Sequence, residues 1–310
     1  LANAIQKHDL ILMKKEHQEV LAPDLLITLG QSVLSKGLKG FLRRAHPQAH
    51  WHIGEEADIV DTYKSLTRKI NIDPVTFLAA LTKHPGRKNK SQEEFHCRWL
   101  NAEKTATEVL DNFLNKVDKG EFLAARHVLE SLPADCDLHL SNSMPVRYAN
   151  YLGLRGRSQI SVWANRGTSG IDGCTSTAVG HALNSKRLQV LLTGDLAFFY
   201  DRNALWHKYL PDNLRIVVLN NHGGGIFGLI DGPNRLPELD EYFVTDQRLN
   251  AKNTADDFKM AYFSVHNIAE LTGILEKFFD KNAGAAILEI ETDAATNHRV
   301  FELFKEHCKK

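Results

Sequence analysis

From Pro23 onward the apolar and polar positions fall into blocks whose period changes. Leu25 to Leu29 reads as a strand, Gly30 breaks it, an amphipathic helix runs through Arg44, and a short strand follows around Trp51 to Ile53. This is the order of a βαβ unit without its opening half. Asp73-Pro74 ahead of Val75 to Leu81 predicts a capped helix, because Asp accepts from first-turn amides and Pro is pre-set for a helix start. His84-Pro85-Gly86-Arg87-Lys88-Asn89-Lys90-Ser91 is a polar break. It divides the chain into a first domain at 1–85, a linker at 86–91 and a second domain at 92–310.

Two helical patterns follow, at about 92–116 and 121–131, and then short apolar runs separated by helices. The runs are Asp137 to Leu140, Gln159 to Trp163, Leu188 to Leu192, Leu214 to Leu219 and Ala285 to Ile290. Such alternation predicts an α/β fold, a mostly parallel sheet with helices on both faces. Ligands of these sheets bind beyond the carboxyl ends of the strands. Four strand ends are therefore candidates: Ser141-Asn142-Ser143, Ala164-Asn165-Arg166-Gly167, Gly194-Asp195 and Asn220-Asn221.

Composition narrows the classes of function. At 310 residues and 43% hydrophobic, the chain can bury two substantial cores. Its 38 basic and 38 acidic side chains cancel, so no global field draws in a polyanion and no nucleic-acid partner is expected. No apolar run approaches the ~18 residues of a membrane span. The first twenty residues mix Lys, His, Asp and Glu, unlike a signal peptide, so no membrane association and a cytoplasmic location are expected. Cys97, Cys136, Cys174 and Cys308 are scattered without a C-x-x-C pair and read as reduced thiols. The chain opens on Leu1, and a fragment of a longer protein is expected.

Gly194-Asp195 ends one buried strand, and Asn220-Asn221 ends another, with 26 positions from Asp195 to Asn221. Magnesium takes hard oxygen ligands, commonly one carboxylate with ligand phosphates. Asp195, Asn221 and the carbonyl of Gly223 supply such a set if the two strands are neighbours. Gly223-Gly224-Gly225 lets the backbone turn back toward a ligand. A lone Gly-Asp after a strand is otherwise an ordinary turn. Ser143 and Arg147 share one face near the positive end of a helix, where a carboxylate is favoured, and Arg166 offers a second planar donor fork. Either arginine alone is more commonly a structural ion-pair partner. Ile171-Asp172-Gly173 precedes a small-residue helix, Cys174 to Leu183, whose free amides suit a diphosphate or the charge of a substrate. Cys174 has no evident base and reads as a packing thiol. Lys36, Lys39, Arg43 and Arg44 form one basic stripe, read as a solvated helix face.

Gly-Asp followed about two dozen residues later by Asn-Asn resembles the signature of thiamin diphosphate enzymes, with Leu196 where that signature has a second glycine. Gly194 to Asp201, Ser141 to Arg147, Asn165 to Gly173 and Asn220 to Phe227 together resemble one branch, the SEPHCHC synthases. The resemblance implies a diphosphate-binding domain over 92–310, preceded by part of a Rossmann-like central domain. It implies thiamin diphosphate and Mg2+ as cofactors. Cofactor contacts would come from Ile171, Gly173, Gly194, Asp195, Leu196 and Asn221, with Ile171 as the wedge that bends the cofactor. The metal would be held by Asp195, Asn221 and Gly223. Substrate contacts would come from Ser143, Arg147 and Arg166, with Ile226, Phe227 and Ile230 as an apolar wall and Ser35-Lys36 reaching the pocket. Core packing is an equal reading of the apolar wall, as the solvated stripe is of Lys36. His222 stands where the branch more often has Asn and reads as a satisfied loop histidine.

The implied reaction is decarboxylation of 2-oxoglutarate and addition of the resulting succinyl semialdehyde carbanion to isochorismate, in menaquinone biosynthesis, by a homodimer or homotetramer. The family's activating glutamate sits on a separate pyrimidine-binding domain. No catalytic residue is therefore expected in this chain, and the fragment alone is expected to be inactive. Two rivals stand beside this reading: another thiamin diphosphate carboligase or decarboxylase of the acetolactate synthase kind, and a noncatalytic binding module.

Overall fold

A computed structural model describes residues 4–30, 33–55, 60–84, 86, 89–157 and 159–309. Pro85, Arg87 and Lys88 of the polar break lie outside the described residues. The chain forms two compact units, Leu1–Asp111 with Glu306–Lys310, and Asn112–Lys305.

The first unit contains α1 (His8–Ile11), α2 (Lys15–Val20), β1 (Leu25–Leu29), α3 (Lys36–Ala45), β2 (Ala49–Ile53), β3 (Arg68–Ile70), α4 (Pro74–Lys83) and most of α5 (Lys90–Leu114). Its three strands pair in parallel in the order β1-β2-β3. Helix α3 begins at Lys36 rather than directly after Gly30, because the Ser35 hydroxyl accepts the Leu38 N–H at 2.8 Å and fixes the start. Asp73 caps α4 through the Thr76 N–H at 2.8 Å, with Pro74 in the first helical position, as its sequence predicts. The third strand, Arg-Lys-Ile, has one apolar residue and hence no hydrophobic pattern to announce it. The compact units divide inside α5, between Asp111 and Asn112, and not at 86–91. A helix of 25 residues carries the chain across this division without a loop.

The second unit holds the larger sheet. In chain order its elements are α6 (Glu121–Ser131), β4 (Cys136–Leu140), α7 (Met144–Leu152), β5 (Ser161–Ala164), α8 (Cys174–Asn184), β6 (Leu188–Gly194), α9 (Asp195–Asp201), β7 (Leu214–Asn220), α10 (Lys252–Asp257), β8 (Ala261–Val265), α11 (Leu271–Phe278), β9 (Ala286–Glu291) and most of α12 (Ala294–Lys309). Six strands run in the order β5-β4-β6-β7-β9-β8, parallel at every pairing. The residues of β7 are all buried, as a strand covered on both faces requires. Leu191, Ile216, Val218 and Ile287 of the sheet pack with Ala178, Val179 and Ala182 of α8 and Phe198 of α9. A second cluster joins Phe122 of α6, Tyr148 and Tyr151 of α7, and Phe301 and Phe304 of α12, with the Phe122 and Phe304 rings 4.7 Å apart.

Strand β8 is absent from the sequence-based expectation. It is a five-residue edge strand whose Ala-Tyr-Phe-Ser-Val pattern is short and only half-buried over most of its length. Arg215, near the start of β7, is fully buried. Its guanidinium donates to the carbonyls of Phe278 and Asp280 at 2.6 Å, Asp212 at 3.0 Å and Leu214 at 3.2 Å, and also to Gly284. No helix among the described residues is long and apolar enough to cross a membrane.

Candidate active site

The sheet's winding reverses around β4: the chain leaves it for β5 on one side, then crosses to β6 on the other. Such a reversal opens a crevice beyond the strand ends. Asp195 stands there as the first residue of α9, directly after β6, and is 3% exposed. Its Oδ2 accepts the Gln247 Nε2–H at 2.8 Å, and the amides of Leu196 and Gly223 also act on it. Burial nonetheless pushes its carboxyl above the ordinary carboxylate range. Strand β7 lies beside β6, with Gly194 opposite Leu219, so Asn221 emerges next to Asp195. The Asn221 Oδ1 accepts the Gly223 N–H at 3.1 Å. One amide thus faces both Asp195 and Asn221, and the predicted trio of Asp195, Asn221 and Gly223 is brought together.

The triple glycine is a matter of space. A Cβ on Gly223 would sit 2.9 Å from Val244 Cγ1, one on Gly224 2.7 Å from the Phe243 carbonyl oxygen, and one on Gly225 3.1 Å from Asn221 Nδ2. Loop 223–225 presses on 243–244, and Gly224 N–H donates to the Val244 oxygen at 2.7 Å. Beyond it Ile226 is buried, the Phe227 ring packs 5.5 Å from that of Phe243, and Ile230 is half-buried. His222 departs from its expected role. Its Nε2 lies 3.7 Å from Glu291, but its Nδ1 is buried without a hydrogen-bond partner. The residue itself is at φ +64°, in the left-handed region.

Two buried carboxylates and one half-buried amide, Gln247, escaped the sequence reading. Glu121, the first residue of α6, is 2% exposed. It accepts the Asn221 Nδ2–H at 2.6 Å on Oε1 and the Tyr148 hydroxyl at 3.1 Å on Oε2. Burial, then the charge of Asp195, push its carboxyl up to about 7. Glu289, fully buried on β9, accepts the Asn220 Nδ2–H at 2.8 Å and the Tyr262 hydroxyl at 2.6 Å. Gln247 Nε2 reaches Asp195 and also Asn220 Oδ1, the latter at 3.1 Å, tying the two strand ends together. A glutamate inside the apolar run Ala286 to Ile290 was a visible sign of a buried acceptor. Glu121 looks like any acid at a helix start, and Gln247 carries no local signal.

The donors suit a hard divalent cation. They comprise a carboxylate, an amide carbonyl and a main-chain carbonyl, all oxygen. Asp195 and Glu121 are both buried acids, and among the described residues neither forms an ion pair with Lys or Arg. A cation would relieve their mutual repulsion. No group of three His, Cys, Asp or Glu side chains among the described residues can hold a metal, so an ion here depends on the amide and main-chain oxygens.

The other end of the crevice is positive. Arg147 Nη1 donates to the Ser143 oxygen at 2.6 Å, and Arg166 Nη1 to Asn142 Oδ1 at 2.5 Å. Burial, then the charge of Arg166, lower the Arg147 pKa, so the two guanidinium groups are neighbours. Neither forms an ion pair among the described residues, against the common fate of such arginines. Ser143, at φ +74°, begins α7 without using its side chain as a cap. Asn142 is buried and donates to the oxygens of Asn165 at 2.7 Å and Gly170 at 2.6 Å, which fixes the loop after β5. Within that loop Ile171 is half-buried, and Gly173, at φ +73°, begins α8. A cleft of about 490 Å³ is lined by Asn165, Gly167, Thr168, Gly170, Asp172 and Gly173. Cys174 is buried and its thiol pushed up, which suits a packing role. Gly194 and Leu196 flank Asp195, both half-buried. In the first unit Lys36 is exposed, whereas the Ser35 hydroxyl is occupied by Leu38 N–H and by Asp9. Ser35 is therefore a cap and not a free substrate contact.

Comparison with known proteins identifies the family. The family model described as "Middle domain of thiamine pyrophosphate" matches residues 1–140. The chain is 45% identical over 307 residues to a protein of Cytophaga hutchinsonii, covering 98% of this chain and 54% of the relative. It is 36% identical over 292 residues to one of Flavobacterium johnsoniae, covering 92% and 51%. With one of Porphyromonas gingivalis it shares 35% identity over 307 residues, covering 96% and 52%. All three are named 2-succinyl-5-enolpyruvyl-6-hydroxy-3-cyclohexene-1-carboxylate (SEPHCHC) synthase. The chain spans about half the length of the curated relatives it matches. It belongs to the thiamin diphosphate enzyme superfamily, in the branch whose curated members are named SEPHCHC synthase.

Proposed function

We propose that this chain carries the diphosphate and metal half of a SEPHCHC synthase site, acting on 2-oxoglutarate and isochorismate. The observation behind this reading is the meeting of Asp195, Asn221 and Gly223 at two adjacent strand ends. Two neighbouring arginines without ion-pair partners among the described residues, Arg147 in α7 after β4 and Arg166 in the loop after β5, add to it. Asp195, Asn221 Oδ1 and the Gly223 carbonyl would hold Mg2+, whose charge would favour a diphosphate here. Gly173, Gly194 and Leu196 would border the cofactor, with Ile171 against its rings. Thiamin diphosphate, when bound, would supply a nucleophilic carbon for the 2-oxo group and an electron sink for decarboxylation.

The chain's own residues bind and orient. Arg147 and Arg166 would receive the carboxylates of the two substrates, both dianions, through planar forks that match carboxylate geometry. Ser143 would add a hydroxyl donor at the start of α7. Ile226, Phe227 and Ile230 would give the reacting carbon an apolar wall that excludes water. Glu121 is not the family's activating acid in this reading, because both of its oxygens are taken by Asn221 and Tyr148. That glutamate is assigned to a pyrimidine-binding domain, in a cytoplasmic homodimer or homotetramer. The first unit would be part of the middle domain, and Lys36 has no role assigned by its position.

The test is calorimetric titration of thiamin diphosphate into the full-length protein in the presence and absence of magnesium. Asp195→Asn and Asn221→Ala should each abolish the magnesium-dependent part of binding. Parent-like affinity in either would remove that residue from the metal site. Product analysis decides the acceptor: turnover of 2-oxoglutarate into a carboligation product that needs isochorismate supports the reading, and acetolactate formation from pyruvate alone refutes it.

A further inference from the structure

We propose that Glu121 is a positioning residue of the metal site: it accepts the Asn221 amide N–H and so aims the Asn221 carbonyl oxygen at the cation. This rests on the assignment of Asn221 as a metal ligand made above.

An asparagine amide has a donor end and an acceptor end, and a half-turn exchanges them. At Asn221 the surroundings decide which way it points. Nδ2 lies 2.6 Å from Glu121 Oε1, while Oδ1 lies 3.1 Å from the Gly223 N–H. An ionised carboxylate only accepts and a main-chain N–H only donates, so both neighbours demand the same orientation, and a cation beside Asp195 favours the ionised form of Glu121. That leaves one lone pair of Oδ1 for a metal.

Glu121 is itself held from several directions. The Tyr148 hydroxyl donates to it at 3.1 Å from α7, Thr292 Oγ1 lies 3.5 Å away on the segment after β9, and its own N–H donates to Asn297 Oδ1 of α12 at 2.8 Å. With the residue 2% exposed, bulk solvent has little access to its oxygens. The residue could instead serve only its own helix. The cap of α6, however, is Gly120 with no side-chain cap bond, and the Glu121 oxygens face Asn221 and Tyr148. Partners behind a ligand typically change metal affinity by ~10–100-fold when removed.

The experiment titrates magnesium calorimetrically into the full-length protein at saturating thiamin diphosphate, and records thermal unfolding without metal. E121Q should bind magnesium ~10–100-fold more weakly while its metal-free melting stays near the parent. N221D sets a second acid against Glu121 and should also bind poorly. The pair E121Q/N221D restores an N–H···O contact with reversed polarity, since the amide introduced on α6 donates to the carboxylate introduced after β7. It should bind at least ~10-fold more tightly than the sum of the single effects allows. A parent-like E121Q or an additive pair would overturn the proposal. If E121Q alone does not fold, the pair decides, and an unfolded pair beside a folded N221D would make Glu121 a folding residue only and overturn it as well. D195N separates the two levels: if it binds magnesium normally, the metal assignment itself fails, whereas its loss beside a parent-like E121Q sinks only the positioning role.

Discussion

Gly224→Ala tests whether loop 223–225 needs glycine for space rather than for backbone freedom. At φ −80° and ψ 63°, Gly224 is in a conformation that alanine also reaches. The obstacle is contact: an added Cβ meets the Phe243 carbonyl oxygen at 2.7 Å and the Phe227 ring at 3.0 Å. Ordinary contact begins at 3.4 Å, so the loop and segment 243–244 must part by about 0.7 Å. A main-chain oxygen cannot rotate aside as a flexible side chain would. Overpacking of this kind costs ~1–3 kcal/mol, or roughly 2–12 °C in a unit of this size. The displacement also exceeds the ~0.5 Å within which a binding constellation must be held. Asn221 and Gly223 ride on this loop, so magnesium-dependent thiamin diphosphate affinity should fall at least ~10-fold. Gly194→Ala should show the opposite signature. Its φ of −87° and ψ of 164° suit any residue and an added Cβ meets nothing within 4 Å, so melting should not drop. Cofactor affinity should fall, because a methyl group would enter the space assigned to the diphosphate. The assay is thermal unfolding of metal-free protein beside calorimetric titration of the cofactor at fixed magnesium. A Gly224→Ala protein that melts and binds like the parent refutes the steric reasoning, and a Gly194→Ala protein that binds normally removes Gly194 from the cofactor contacts.

Two further outcomes concern the scaffold. Arg215→Met leaves the fully buried bonds to the Phe278 and Leu214 carbonyls unmade, and at ~1–3 kcal/mol for each unsatisfied group the expected loss is ~2–6 kcal/mol. Urea unfolding measures it, and a loss below ~1 kcal/mol would contradict the fastening role. Burial holds His139 below its ordinary pKa of 6.5, so the unfolded chain binds a proton there that the folded chain refuses. The His139 contribution to stability is then fully present above pH 6.5 and declines as the pH falls below it. His50 and His127, also lowered by burial, act in the same direction. Glu121, pushed up to about 7, acts in the opposite direction over the same window, so the difference between proteins is what reports His139. Between pH 7 and pH 5.5 the melting temperature of the parent should change less favourably than that of His139→Gln, and superimposable profiles would count against this account.

Strands β1, β4, β6, β7 and β9 were legible because each is an apolar run bounded by turn residues. The meeting of Asp195 with Asn221 was legible because both motifs close such runs. What escaped has physical causes. Strand β3 has no apolar pattern, and β8 is a short edge strand that a single sheet face does not force to be hydrophobic. Glu121 lies 100 positions from the asparagine it holds, and Gln247 lies 52 from Asp195, so no local spacing could announce either partnership. Ser35 looked available because its capping bond and its bond to Asp9 depend on the folded backbone.

The position of β9 in the sheet bears on how the site is made. It is the last strand of the chain among the described residues, yet it sits between β7 and β8, and it supplies Glu289, with Thr292 just beyond it. Asn220 at the end of β7 and Asn221 after it therefore depend on chain segments synthesised some 70 residues later, since Glu289 holds Asn220 and Thr292 lies against the carboxylate that holds Asn221. Contacts of such long sequence separation form late and slowly. The nascent chain can thus expose its Gly-Asp and Asn-Asn motifs for some time before they are shaped to hold an ion, and metal competence reports completion of the sheet.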